Sequence, residues 1–430
     1  MASPAPGAAR SSYDPARVVA DLRALAERTG GPGGARRLAW TPGWLEARAM
    51  LREELAGLPV RVEQDEAGNL WAYLAGERDE LVVVGSHLDA VPSGGWLDGA
   101  LGVMAGLELL RSLAADAAVG RPPRCGVALV DWADEEGARF SRSLFGSAAV
   151  AGTLEPDLVR DLTDAEGRRL EDVVAEHGVR LDAIDAARSR LDPVRAYVEV
   201  HIEQGPVLEH RGRAISAVTG TFGIERERLV FRGQAAHAGT MPMAMRRDSL
   251  RAASRFALEL ADIAAAEGGV GTVGQVVCRP GVVTAVPGET RATMDLRHGD
   301  AAGLEAMYRA ARDAAERAAA TEGCTVSAEP LFRVPPRPFA PQLLDAARAA
   351  VRELEGHDDA IPSGALHDAT EIAALVPTVM VFSSSTGGLS HTREEDTPTE
   401  HLELAVAAFD ATVRAAIDLV ADGRLEPLPA

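Results

Sequence analysis

Four apolar runs in this chain each end in imidazoles or carboxylates, and that pattern restricts its fold more than any other feature. VVVGSHLDAVPSGGWLDGALGV, residues 82–103, places His87, Asp89 and Asp98 where an apolar strand gives way to a helix. DEEG, residues 134–137, follows the run GVALVDWA; His201 follows AYVEV; His391 follows TVMVF after a short Gly/Ser-rich loop. In an open α/β sheet the strand ends are where sites form, so the spacing brings these groups to one crevice.

Neutral imidazole with carboxylate suits zinc, manganese or a similar divalent ion. A carboxylate can bridge two cations, which divides the candidates as His87, Asp98 and His201 on one ion and Asp98, Glu136 and His391 on the other. Two such ions polarise a carbonyl and acidify water, and a base is still needed. Glu135 and Glu136 are adjacent, so in an extended segment they point to opposite sides, one to ligate and one to face substrate. Asp89, two residues from His87, is placed to accept the imidazole proton that faces away from the metal. The chain reads as a metal-dependent hydrolase.

A chain of 430 residues exceeds one ordinary core, so two domains are expected. A net charge of −20 argues against nucleic acid or an anionic membrane surface as partner. Cys125, Cys278 and Cys324 form no CxxC pair, which fits three unpaired thiols in a reducing, cytoplasmic setting. No segment has the length of a membrane span, and residues 1–14 read as a small, polar, frayed tail.

Strands and helices alternate as in a mixed α/β protein. The catalytic domain is expected over residues 15–212 and 331–430, with helices near 15–27 and 42–55, a strand pair turning at Ala67-Gly68-Asn69, and the apolar helix after Asp98. GGPGGARR lacks phosphate-loop spacing and reads as a turn. Over residues 213–330 the order strand, helix, strand, strand, helix, strand is that of a ferredoxin-like βαββαβ unit, inserted as a lid.

GSHLDAVPSGGWLDGALGV, DEEGARF, VEVHIEQGPVLE, GQAAHAGTMPM and GGLSH resemble, in order, the motifs of the N-carbamoyl-L-amino acid hydrolase, β-ureidopropionase and allantoate amidohydrolase family, within the di-metal amidase and exopeptidase superfamily. The resemblance implies two divalent ions per subunit (zinc or manganese, with cobalt or nickel as alternatives), an exopeptidase-like catalytic domain, and a lid through which the chain forms a homodimer. Matched by motif, His87, Asp98, Glu136, His201 and His391 are the ligands and Glu135 the general base. His237 corresponds to a lid histidine that supports the oxyanion in the partner's site, Gln204 to a substrate-contacting amide, Arg297 to a clamp on the substrate carboxylate, and His367 to a residue near the site. His201 stands where exopeptidases of the superfamily carry a carboxylate, which favours the carbamoylase branch. Thr284 replaces the usual Asn of the carboxylate clamp, and Ile224 and Glu225 replace polar or basic residues. His177, His210, His298, His357 and His401 are read as ordinary polar residues.

The activity implied is hydrolysis of an N-carbamoyl amino acid or related ureido acid to release ammonia and carbon dioxide. The alternatives are allantoate or another ureide, an N-acyl or dipeptide substrate, or a binding protein that kept the fold without catalysis. Against the last, neither Glu135 nor any ligand is lost.

Overall fold

The computed structural model describes residues 12–428. Most of the tail expected over residues 1–14 lies outside them, but its end is tied down rather than frayed. Ser12 Oγ donates to the Ser112 carbonyl at 3.1 Å, and Asp14 caps the first helix, Pro15–Thr29, by accepting from the amides of Ala16 and Arg17.

The chain forms two compact units. One runs up to Thr219 and also takes Phe339–Ile361 and the chain from Leu366; the other comprises Gly220–Pro338 and Pro362–Ala365. The change of pattern near Gly212 precedes the change of unit, because Ile215–Thr221 pairs with Thr378–Ser383 in the first unit's sheet before the chain leaves it.

That sheet runs in spatial order Ile215–Thr221, Thr378–Ser383, Val194–Ile202, Leu81–His87, Gly126–Trp132, Leu70–Leu74, Val60–Gln64. Its middle four strands are mutually parallel, so their C-terminal ends share one edge. The two sides of each strand enter different cores. Val82, Val84, Val127, Leu129, Val198 and Val200 face helices Ala100–Ala118, Pro341–Glu355 and Thr399–Ala421; Val83, Ala128, Val130 and Tyr197 face Trp40, Trp44 and Phe145. Burial on both faces is why these strands read as unbroken apolar runs. Helix Ala100–Ala118 buries 14 of its 19 residues, which explains its nearly uniform apolar sequence.

The main sheet of the second unit follows the expected order strand, helix, strand, strand, helix, strand, except that the second strand is broken into Val270–Thr272 and Val276–Arg279. Gly223–Arg232 lies between Glu289–His298 and Thr325–Val334, and the edge of Glu289–His298 takes both Val270–Thr272 and Val276–Arg279, all antiparallel. Thr290, Ala292, Met294 and Leu296 alternate inward, toward Phe256, Leu260 and Met307 of the two helices. Ile224 is buried, and Glu225 pairs with Arg333 at 2.5 Å. Both departures therefore belong to this unit's packing and ion pairing. All three cysteines are free. Among the described residues no helix is long and apolar enough to cross a membrane.

One buried ion pair ties the parallel strands to the helix Pro42–Leu55. Arg48 donates through Nε to Asp131 Oδ2 at 2.6 Å, and through Nη1 and Nη2 to the carbonyls of Gly68 and Asp131; Asp131 Oδ1 accepts the Leu88 amide at 2.8 Å. Removing one partner of a buried pair leaves the other charge uncompensated, at about 3–5 kcal/mol. Arg48→Met is therefore expected to lower the free energy of the first urea unfolding transition by an amount of that order, and its midpoint with it, read by circular dichroism. An unchanged midpoint would show that Asp131 needs no counter-charge.

Candidate metal centre

His87 ends its strand, and the chain then turns through Leu88, Asp89 and Ala90. Its Nδ1 lies 3.1 Å from the Asp89 main-chain carbonyl and 3.6 Å from Asp89 Oδ1. The Asp89 carbonyl is the nearer partner of that nitrogen, and the Asp89 carboxylate, which against burial and together with Glu135 raises the His87 pKa, stands just beyond it. The carboxylate also accepts the amides of Glu135 and Glu136, each at 3.2 Å. Asp89 thus joins the end of one strand to the segment that follows its parallel neighbour.

His201 sits near the end of Val194–Ile202, with Nδ1 2.9 Å from the Ile202 carbonyl. With each Nδ1 against a main-chain carbonyl, Nε2 is the nitrogen each ring turns to the site, and that of His201 also takes the Gly99 amide at 3.2 Å. They face Asp98 Oδ1, at 3.6 Å from His87 and 3.2 Å from His201. The other oxygen, Asp98 Oδ2, lies 3.3 Å from His391 Nε2, which is also 3.3 Å from Glu136 Oε2. Two donor groups result: His87, Asp98 and His201, and Asp98, Glu136 and His391. Glu135 points the other way from Glu136, with Oε2 3.7 Å from His87 Nε2.

The electrostatics match a set of donors short of positive charge. Burial pushes the Glu135 carboxyl well above the usual carboxylate range, His87 opposes that, and Asp368, Glu136 and Asp89 add to it. Glu136 is raised to about 7 by burial and then by Asp98. His391 is raised to about 9, first by its hydrogen bond to Asp98, against burial. Burial alone would raise Asp98, but His201 and His391 hold it well below the ordinary range. Carboxylates crowded out of water, with imidazole lone pairs aimed among them, fit divalent cations as the missing charge.

A third group, Glu199, His201 and His367, also has its donor atoms close together. Glu199 is already satisfied, accepting from Ser86 Oγ, Tyr197 Oη and the Ala369 amide. The His367 ring packs 4.6 Å from the His201 ring and is held well below its ordinary pKa by burial and by His201. This group is a hydrogen-bonded support behind the first two. Gln204 donates to Asp98 Oδ2 at 2.9 Å and to Ser390 Oγ at 3.2 Å, so its amide is occupied with the aspartate.

In the second unit, His237 stands on a short strand paired with Ala285–Val286, and the Thr284 carbonyl accepts the Ala238 amide at 2.8 Å. Nδ1 of His237 accepts from the amides of Gly239 at 3.0 Å and Thr240 at 3.2 Å. Those two donors place the ring proton on Nε2, which makes it a hydrogen-bond donor. Arg297 donates through Nε to Asp295 Oδ1 and through Nη1 to the Gly364 carbonyl.

Two residues that sequence reasoning missed hold the cluster in place. Glu395, 2% exposed, accepts the amides of Leu97 and Asp98 and bonds Ser390 Oγ at 2.8 Å. Nothing in SHTREED distinguishes it from the charged residues beside it. Glu199 did leave a signal, as an acid inside an otherwise apolar central strand.

A model of the Peptidase family M20/M25/M40 matches residues 83–415. The chain belongs to this family. It is 34% identical to an N-carbamoyl-L-amino-acid amidohydrolase of Paenarthrobacter aurescens over 90% of its own length and 94% of the relative's. It is also 34% identical to an allantoate amidohydrolase of Escherichia coli, over 85% and 89%. A solved amidase of the hydantoinase/carbamoylase family from Burkholderia multivorans superposes with a TM-score of 0.84 at 33% identity, covering 97% of this chain and all of that one. The chain is a metal-dependent M20-family hydrolase of carbon–nitrogen bonds.

Gly99 shows how tightly the cluster is built. Its φ is +66°, and a Cβ there would stand 2.4 Å from His87 Cε1. Gly99→Ala is expected to push the His87 imidazole aside and lower the divalent metal content of the purified protein, read by elemental analysis. Full metal content in that variant would mean that His87 has room to move.

Proposed function

We propose that the chain hydrolyses the ureido bond of an N-carbamoyl amino acid or a related ureido acid, releasing ammonia and carbon dioxide. The observation that carries this is the pair of donor groups sharing Asp98, with Glu135 beside them and free of either group. His87, Asp98 and His201 would hold one divalent ion, and Asp98, Glu136 and His391 a second; zinc or manganese suits these donors. When bound, such ions lend Lewis acidity toward a carbonyl and acidify water.

The protein's own groups do the rest. Glu135 takes the proton of the attacking water and passes it to the leaving nitrogen, and its raised proton affinity suits both halves of that task. Asp89 keeps Glu135 and Glu136 diverging by holding both amides. Gln204 fixes the orientation of Asp98 through Nε2, which leaves its carbonyl oxygen to meet the substrate. The Nε2 proton of His237 serves the oxyanion. Arg297 pairs with the substrate carboxylate, and His367 lies against His201 to complete the substrate side. In the homodimer, His237 acts in the neighbouring subunit's site.

Allantoate is the second reading, favoured by a relative of that activity at the same identity. Ammonia release over a panel of N-carbamoyl amino acids, allantoate and dipeptides tests the proposal. We expect turnover of a ureido acid that a chelator abolishes and added zinc or manganese restores. Turnover of dipeptides alone, or full activity without metal, would overturn it.

The two glutamates should separate. Glu136→Gln is expected to lose metal and, with it, activity. Glu135→Gln should keep its metal and substrate affinity while kcat falls by about 10²-fold to 10⁴-fold. The reverse result would exchange their roles. Mixed with His237→Ala under subunit exchange, Glu135→Gln should regain activity; no recovery would place His237 in its own subunit's site.

A further inference from the structure

The loop that carries Asp89 is strapped from the N-terminal side by GGPGGARR. Ala35 donates its amide to the Gly94 carbonyl at 2.8 Å, and Ala90 donates to the Arg37 carbonyl at 3.0 Å. Gly34, at φ +103°, has no room for a side chain: a Cβ would stand 2.6 Å from the Gly94 oxygen. The Arg37 side chain continues the strap inward. It is fully buried, and its Nε donates to the Leu88 carbonyl at 2.8 Å. Its Nη1 and Nη2 have no hydrogen-bond partner among the described residues.

A buried guanidinium with four unspent N–H bonds is costly to keep. Burial works against its charge, and the carboxylates of Asp98, Glu395, Asp89 and Glu136 support it. Two of those carboxylates belong to the donor groups, and the other two hold the donors in place.

We infer that Arg37 is a positioning residue of the metal centre, holding Leu88–Ala90 through its side chain and its own carbonyl so that Asp89 spans both strand ends. The inference rests on the metal-centre reading above. It gives the GGPGGARR turn a task that neither its glycines nor its charges announced.

The test compares wild type, Arg37→Lys, Arg37→Met and Gly34→Ala, each stripped with a chelator and reloaded with Zn²⁺ in competition with a chromophoric chelator. Arg37 has no ion-pair partner among the described residues and its Nη1 and Nη2 are unspent, so an apolar side chain there removes an unsatisfied group and strands no paired charge. Stripped Arg37→Met should therefore melt close to wild type while binding Zn²⁺ about 10–100-fold more weakly, the usual cost of losing a group that orients ligands. Arg37→Lys, which keeps a donor for the Leu88 carbonyl, should recover part of that loss. Gly34→Ala alters only the outer turn of the strap and should weaken Zn²⁺ binding in the same direction. Equal or tighter Zn²⁺ binding by Arg37→Met would overturn the inference; should that variant not fold, unchanged affinity in both of the others would do so. A wild-type protein that takes up no Zn²⁺ would instead overturn the metal-centre reading.

Discussion

Asp98 faces three imidazoles that reach it from well-separated parts of the chain, and the site depends on that one carboxylate keeping both oxygens in position. Oδ1 serves His87 and His201, and Oδ2 serves His391. A rotation about its side chain would separate the two donor groups. The surroundings prevent it: Gln204 and Ser390 hold Oδ2, and Glu395 holds the Asp98 amide. Burial makes each of these bonds matter more than it would in water, and it excludes alternative partners.

Hydrogen bonds around the cluster go largely to main-chain atoms. His87 and His201 bond carbonyls, and Asp89 and Glu395 bond amides. Main-chain partners are fixed by the sheet, so the strand register sets where the imidazoles emerge, while the side chains of Gln204, Ser390 and Glu395 hold Asp98 between them. The parallel pairing of Leu81–His87 with both Gly126–Trp132 and Val194–Ile202 sets the heights at which His87, Glu135 and His201 emerge.

Much of this could be read in the sequence because the strands are buried on both faces. An apolar run that stops at a histidine or acid marks a strand end, and four such runs marked the same sheet edge. The order of elements in the second unit was equally open, since Thr290, Ala292, Met294 and Leu296 alternate and the helices carry their own period. What sequence did not reveal were contacts set by approach rather than by pattern. Glu395 and Arg37 lie among other charged residues, and only their burial separates them from those neighbours. For Asp89, spacing showed it near His87, but that its carbonyl as well as its carboxylate approaches the ring depended on the turn.

Three residues at the site have left-handed backbone: Asp134 at φ 56°, Gln204 at φ 58° and His391 at φ 56°. Such conformations in residues other than glycine store about 1–3 kcal/mol each, held against relaxation by the sheet. Glycine at these positions would relieve the strain, and a search for a more heat-resistant enzyme would be drawn to them. It would also remove the Gln204 amide and the His391 imidazole, and would loosen the turn into Glu135. The loops that limit this protein's stability are those its chemistry occupies, so gains in heat resistance have to come from elsewhere in the chain.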